Sequence, residues 1–121
     1  MKLKKLGYKA VRNAWKIRNI DYCCRYEYSI CKDIYKLIKS DTVLSNLDVD
    51  SIEEVVTTDL DVFSSSFTIS LSDETDYEIC LTTDISDEDY FLCALPNALR
   101  IIFGDKLINE EFFQNHFDLF Y

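Results

Sequence analysis

The first forty residues place apolar side chains at the spacing of helices. Residues 2–18 repeat apolar positions every three or four residues, with cationic positions on a neighbouring face. The apolar positions of this helix are Leu3, Leu6, Ala10, Ala14 and Ile17. Residues 20–39 carry a broader apolar stripe, which predicts a second helix or a continuation of the first. Since neither glycine nor proline lies near Asn19 and Asp21, the pattern leaves both possibilities open.

Beyond residue 51 the period of the apolar pattern changes to two, which predicts strands. The alternating segments are residues 55–63, 66–72 and 77–83. In the first segment we expect Val56 to face the core and Asp59 and Asp61 to face outward. Ser64–Ser66 and Asp73–Asp76 are the expected hairpin turns. Such short connections favour an antiparallel meander with one packed face and one solvated face.

Helix signals return after the strands. Ser86 and Asp89 have the spacing of a capping box, and the helix that they begin is expected to end near Leu95. Pro96 suits the first turn of a further helix, and Gly104 suits its end.

The chain is therefore expected to form one α+β domain of two layers. An N-terminal helix or helical pair would occupy the basic segment 1–40, and a three-stranded antiparallel meander would occupy 52–84. C-terminal helices would occupy 86–121, including a last helix from Asn109. With 48% hydrophobic residues, 121 residues suffice for a packed core, and helices would cover the apolar face of the sheet.

Charge is distributed unevenly along the chain. The formal net charge is −9, but residues 1–40 carry +8 and residues 41–121 carry −17. From Ser40 to Leu99, sixty positions contain fifteen acidic residues and no Lys or Arg. Because soluble surfaces usually mix charges of both signs, an acidic tract of this length indicates a basic partner.

The acidic tract supplies the residues that are expected to contact this partner. Carboxylates two residues apart on a strand lie roughly 6.5–7 Å apart, which coarsely matches the density of phosphates spaced roughly 3.4 Å along one DNA strand. The acidic contact residues are Asp59, Asp61, Asp73, Glu74, Asp76, Glu78, Asp84, Asp87, Glu88 and Asp89. Tyr77 and Tyr90 would add aromatic anchors at the edge of the contact.

A basic stripe follows the first predicted helix. It consists of Lys2, Lys5, Lys9, Arg12 and Lys16. The stripe is a possible secondary contact surface for nucleic acid, for the acidic part of the same chain or of a second copy, or it is simply a solvated face. The charge of −17 elsewhere opposes nucleic acid, so direct nucleic-acid binding is not expected, whereas a homo-oligomer is compatible with the pattern.

The remaining residue types indicate no catalytic chemistry. Five cysteines lack the C-x-x-C spacing, and a single histidine, His116, does not complete a usual zinc site. Phosphate-binding loops, nucleophile elbows and calcium loops need glycines that the motifs of this chain lack. We therefore expect reduced, packed thiols and no enzyme activity, metal or cofactor. The lack of a signal peptide or membrane span predicts a cytoplasmic protein.

In size, acidity and lack of catalytic motifs, the chain resembles two groups of proteins. One comprises phage-encoded anti-CRISPR and anti-restriction proteins, many of which mimic nucleic acid. This resemblance implies a non-enzymatic inhibitor that occupies the basic channel of a defence nuclease in the host cytoplasm. The other group comprises bacterial immunity proteins and antitoxins, which implies neutralisation of a cognate toxin. A small enzyme with a carboxylate or cysteine site is the alternative of another class, and a pocket holding an acid with Cys or His would favour it.

Overall fold

The structure is a computed structural model that confirms the expected α+β class. It describes the backbone of residues 1–60, 64–82 and 88–104 and the side chains of residues 1–56, 66–81 and 94–104. The described elements are α1 Leu3–Ile17, α2 Tyr22–Ser40, α3 Thr42–Ser45, a 3₁₀ turn Val49–Ser51, β1 Ile52–Leu60, β2 Ser64–Leu71, β3 Asp76–Thr82 and α4 Glu88–Phe103. None of the helices in these residues is both long and apolar enough to cross a bilayer.

Two separate helices form in the first forty residues. Asp21 precedes α2 in an extended conformation, and its Oδ1 accepts a hydrogen bond from the Cys24 backbone N–H at 3.0 Å. This N-cap satisfies one of the backbone donors that the first turn of a helix leaves without a partner. Hydrogen bonds from Cys24 also lower the pKa of Asp21. The cap therefore decides between two helices and one, which the apolar pattern leaves open.

The three strands form an antiparallel sheet in the order β1–β2–β3, as the short connections predict. Strand β2 begins at Ser64, and Ser64, Ser65 and Ser66 pair with β3. The prediction of a turn at these three serines is therefore wrong. Serine is common in turns because its hydroxyl bonds to nearby backbone, but here pairing on both sides of β2 outweighs that preference. Residues 61–63, which connect β1 to β2, lie outside the described residues.

A bulge in β1 determines which of its residues face the core. Val55 pairs with Ile69 and is fully buried, whereas Val56 pairs with Thr68 and is half-buried. The expectation that Val56 faces the core is therefore wrong. The register with β2 shifts just before Asp59. An extra residue in one strand reverses which face of the sheet the following side chains occupy. The alternation predicted from the residues after the bulge therefore does not apply to the residues before it.

Helix α4 continues through Pro96, so the prediction of a helix boundary at that residue is wrong. Proline removes one backbone hydrogen bond from a helix interior, but the side chain of Pro96 is fully buried, and its packing offsets that loss. Gly104 follows α4 with a φ of +56°, which confirms the glycine stop. The predicted helix from Asn109 and the single histidine, His116, lie outside the described residues.

The helices pack on one face of the sheet. Helix α2 contacts both α1 and α4, and α1 also contacts α4. Phe67 of β2 meets Phe103 of α4 edge-on, with 5.8 Å between ring centroids. Leu3, Ala10 and Ala14 bury one side of α1 in the same apolar cluster. The core thus lies between the sheet and the helices and leaves the other face of the sheet without helical cover among the described residues.

Candidate functional site

The outer face of the sheet carries carboxylates at regular positions. Glu54 pairs with Ser70, and Ser70 pairs with Asp76, so one row crosses all three strands. In the adjacent row Thr68 lies opposite Glu78. We call this surface, formed by Glu54, Asp76 and Glu78 with Thr68 and Ser70 between them, the acidic face. Asp76 and Glu78 are exposed, whereas the other three side chains are half-buried.

The spacing within the acidic face follows from the geometry of a sheet. Glu54 and Asp76 lie two strands apart, which is roughly 9.5 Å, and Asp76 and Glu78 lie two residues apart, which is roughly 6.5–7 Å. Hydroxyl groups of the central strand stand between the carboxylates. The face therefore offers anionic acceptors with hydroxyl donors at intervals of a few ångströms.

The turn between β2 and β3 extends this charge at one end of the hairpin. It comprises residues 72–75, close to the predicted position. Asp73 Oδ1 accepts a hydrogen bond from the Thr75 backbone N–H at 3.0 Å, and Glu74 has a φ of 71°. Hydrogen bonds from the Thr75 side chain and backbone lower the pKa of Asp73, so this carboxylate is ionised throughout the neutral range. Asp73 and Glu74 are both exposed and adjoin Asp76.

Among the other predicted contact residues, the structure describes the side chain of Tyr77 and the backbone of Asp59, Glu88, Asp89 and Tyr90. The backbone of Asp59 pairs with Ser66 of β2. Tyr77 pairs with Ile69 on the helix-covered face and packs half-buried against the core. Glu88, Asp89 and Tyr90 form the first turn of α4, and their side chains lie outside the described residues, as do Asp61, Asp84 and Asp87 entirely.

The sequence pattern does not identify Glu54 as part of the acidic face. Its neighbour Glu53 is also acidic, and the adjacent apolar residues Val55 and Val56 do not show which residues of the strand face the core. The register shift between Ile52 and Glu54 then places Glu54 opposite Ser70. A bulge of this kind depends on pairing with another strand, so the local pattern carried no signal for it.

The basic stripe lies on the side of α1 that faces away from the core. All five of its side chains are exposed, and Lys2 Nζ donates to the Asn46 carbonyl oxygen at 3.0 Å. Next to it, the N-terminal amine lies 3.7 Å from Asp48 Oδ1. Within the described residues, no ion pair joins Lys5, Lys9, Arg12 or Lys16 to a carboxylate. The described part of the molecule therefore does not dock the stripe on its own acidic face.

A buried carboxylate lies between α2 and α4, next to two buried thiols. Glu27 is 6% exposed, and its Oε1 accepts a hydrogen bond from Asn97 Nδ2 at 3.0 Å. Burial, with a smaller effect of the Glu27 charge, raises the pKa of the Cys31 thiol to about 12. Burial is also the main cause that raises the pKa of Cys24. Because the thiolate is the nucleophile, the raised pKa values lower the reactivity expected of both cysteines.

The arrangement of potential metal ligands is known for the residues whose side chains are described. Among the residues whose side chains are described, no three His, Cys, Asp or Glu side chains converge as metal ligands. Cysteines 23, 24, 31 and 80 are thiols. Cys80 is exposed on the outer side of β3, where its Sγ lies 3.4 Å from Glu78 Oε1.

Comparisons with known proteins give no family for this chain. No protein-family model matches it, and neither a curated protein nor a solved structure shows significant similarity.

Proposed function

We propose that the protein is a small, non-enzymatic inhibitor whose acidic face binds the basic nucleic-acid-binding surface of a nuclease. The observation that carries this proposal is the acidic face, which no helix of the described residues covers and which belongs to a tract of sixty positions without a Lys or Arg. A nuclease acts on intracellular nucleic acid, so the proposal includes a cytoplasmic location, in the host if the protein is phage-encoded.

Electrostatics supports a basic partner. Like charges on Glu54, Asp76 and Glu78 repel one another in the free protein, and a cationic cleft would relieve that repulsion on binding. A complementary charged surface also steers association and can raise its rate by about 10- to 1,000-fold. The regular spacing of carboxylates favours a partner that already binds a regular row of phosphates.

Short-range contacts would add specificity to this attraction. Thr68 and Ser70 present hydroxyl groups between the carboxylates and can donate to or accept from partner side chains. Arginine forks of a nucleic-acid site bind carboxylate as well as phosphate in bidentate fashion. The raised pKa of Cys31 and Cys24 supports the non-enzymatic part of the proposal, because the thiols nearest to a buried carboxylate are not activated.

A comparison of two neutralised variants tests the proposal. One variant, Asp76→Asn with Glu78→Gln, removes two charges from the acidic face. Its matched control, Asp33→Asn with Asp50→Asn, removes two charges from exposed positions on α2 and the 3₁₀ turn. All three proteins serve as bait in quantitative affinity purification from the cells in which the protein acts. Proteins retained by wild type and control but reduced with the acidic-face variant are then purified.

The purified partner decides the outcome. We expect it to be a nuclease whose activity is inhibited by the wild-type protein, and association with the acidic-face variant to be about tenfold slower at physiological salt. Surface plasmon resonance measures the association rate, and cleavage of a labelled nucleic acid measures inhibition. Equal slowing in the control would show that net charge matters and not this face. A partner without nucleic-acid chemistry would refute the proposal.

A further inference from the structure

Four aromatic side chains line the seam between α1 and α2. Tyr8 meets Tyr35 with 6.2 Å between ring centroids, and Trp15 meets Tyr28 edge-on at 5.4 Å. Within each helix the two rings are seven residues apart, which is roughly 10.5 Å along the axis. We call Tyr8, Trp15, Tyr28 and Tyr35 the aromatic seam. The helices approach closely here, since Gly7 has no Cβ atom. A Cβ atom at this position would lie only 3.1 Å from Tyr35 Cδ2.

The two rings that α1 contributes to the seam remain open to solvent. Tyr8 is 50% exposed and Trp15 is 49% exposed. Burying large aromatic surface is favourable, so two half-exposed rings that lie two helical turns apart on a packed domain indicate a contact surface.

Every ring of the aromatic seam lies close to a cation that belongs to its own helix or, for Arg18, to the residue that caps that helix. The distances from the cationic atom to the ring centroid are 5.9 Å for Arg12 and Tyr8, 3.1 Å for Arg18 and Trp15, 4.5 Å for Lys32 and Tyr28, and 6.0 Å for Lys39 and Tyr35. Each pair is separated by three or four residues, which places both members on one side of the helix. The seam therefore combines stacking surfaces with positive charge along its whole length.

The basic stripe adjoins the seam on α1. Lys9, Arg12 and Lys16, with Asn13, line a shallow groove on the exposed side of the helix. At the other end of the helix, Lys2, Lys4 and Lys5 line a second pocket together with two seam residues, Tyr8 and Tyr35. One continuous surface thus carries both the cations and the rings.

We propose that the aromatic seam and the basic stripe together bind single-stranded nucleic acid. Unpaired bases stack on aromatic rings and on guanidinium planes, while cations track the phosphates. An acidic polypeptide would use the cations but has no base to stack on Tyr8 or Trp15. A duplex keeps its bases stacked inside and would leave the same rings unused.

The acidic face opposes this binding less than its charge suggests. The acidic face points away from the helices, whereas the basic stripe points away from the core on α1. At least one helix, about 10–12 Å across, lies between the two surfaces. This distance exceeds the screening length of about 8 Å at physiological salt. A phosphate chain on the stripe is therefore largely screened from the acidic face.

Intrinsic fluorescence gives a direct test, because Trp15 is the one tryptophan of the chain. Oligothymidylate and oligouridylate are titrated into the full-length protein at about 50 mM salt, where phosphate contacts are strong. We expect quenching of Trp15 fluorescence, and an affinity that falls as salt rises. Labelled oligonucleotides report the same binding by fluorescence anisotropy.

Variants separate the contributions of charge and stacking. Lys9→Gln, Arg12→Gln and Lys16→Gln together should reduce the slope of log affinity against log salt by about two and weaken binding about 50-fold at 150 mM salt. Trp15→Leu should weaken binding by about 5- to 100-fold, measured by anisotropy. Circular dichroism establishes that each variant folds. Asp76→Asn with Glu78→Gln is the control and should bind oligonucleotide at least as well as wild type, which separates this surface from the acidic face.

Several results would overturn the inference. It fails if neither oligonucleotide quenches Trp15 or changes anisotropy at about 50 mM salt. It also fails if polyglutamate quenches Trp15 equally well, since the surface would then be a general site for acidic polypeptides. Equal affinity for duplex and single strand would exclude base stacking. Since none of these measurements involves the nuclease partner, their outcome is independent of the proposed inhibition.

Discussion

The hydrogen bond between Asn97 and Glu27 offers a quantitative test of how α2 and α4 are held together. The Glu27 carboxylate is 6% exposed and accepts from Asn97 Nδ2 at 3.0 Å. A carboxylate only accepts hydrogen bonds, so the asparagine must present its amide NH₂ group. Replacing Asn97 with Ala removes the donor and leaves a buried charged acceptor without that partner.

The expected loss follows from the charge of the acceptor. Hydrogen bonds to charged groups contribute about 1.5–3 kcal/mol, and Asn97→Ala should reduce the free energy of unfolding by this amount. In a domain of this size the melting temperature should fall by about 5–15 °C. Urea unfolding followed by circular dichroism measures the free energy, and differential scanning calorimetry measures the melting temperature.

A double-mutant cycle decides whether the hydrogen bond is the cause. Glu27→Leu replaces the carboxylate with an apolar side chain, so that Asn97→Ala in this background should cost less than about 1 kcal/mol. The same loss in both backgrounds would refute the argument, because Asn97 would then act through packing alone. A loss below about 0.5 kcal/mol in the wild-type background would show that water replaces the amide at Glu27.

Two further predictions concern the thiols and the turn carboxylate. Native alkylation followed by mass spectrometry should label the exposed Cys80 rapidly and should label Cys31 last among the four cysteines whose side chains are described. The reason is that a pKa of about 12 in place of 9.0 reduces the thiolate of Cys31 about a thousandfold at neutral pH. A disulfide whose reduction unfolds the protein would contradict this prediction. Carboxyl NMR should place the Asp73 midpoint below 3.8, and Thr75→Val should raise it. Because the pKa of Asp73 is lowered in the folded state, its stabilisation of the fold is present above pH 3.8 and is lost as the pH falls through the folded pKa. An Asp73 midpoint at 3.8 or above would contradict this prediction.

Where sequence patterns mislead in this chain, the cause is a contact between distant segments. Val55 and Val56 are equally apolar, and only the pairing with β2 buries the first of them more deeply. The local sequence at Pro96 predicts the start of a helix, but its ring is buried in the core and α4 continues through this residue. Ser64–Ser66 read as a turn, yet pairing with β3 makes them a strand. At Pro96 and at Ser64–Ser66, tertiary packing or strand pairing outweighed a local preference worth about 1–3 kcal/mol.

The sequence alone determined the features that depend on neighbours along the chain. Helical spacing in residues 2–18 and 20–39, alternation in the strands and the glycine stop at Gly104 all follow from local geometry. The N-cap at Asp21 is a local contact as well, since its oxygen reaches a backbone N–H three residues away, but the apolar pattern did not predict it. Charge asymmetry is likewise a property of the sequence, because it needs only a count of ionisable groups.

Only the tertiary structure decided which charges and rings share a surface. Glu54 and Asp76 belong to one row because β2 pairs with a strand on each side and a bulge sets the phase of β1. Tyr8 and Tyr35 form part of one seam because α1 and α2 pack closely where a glycine admits the ring. Such positions depend on the register between segments, which is set by burial of the common core and not by any residue nearby in the sequence.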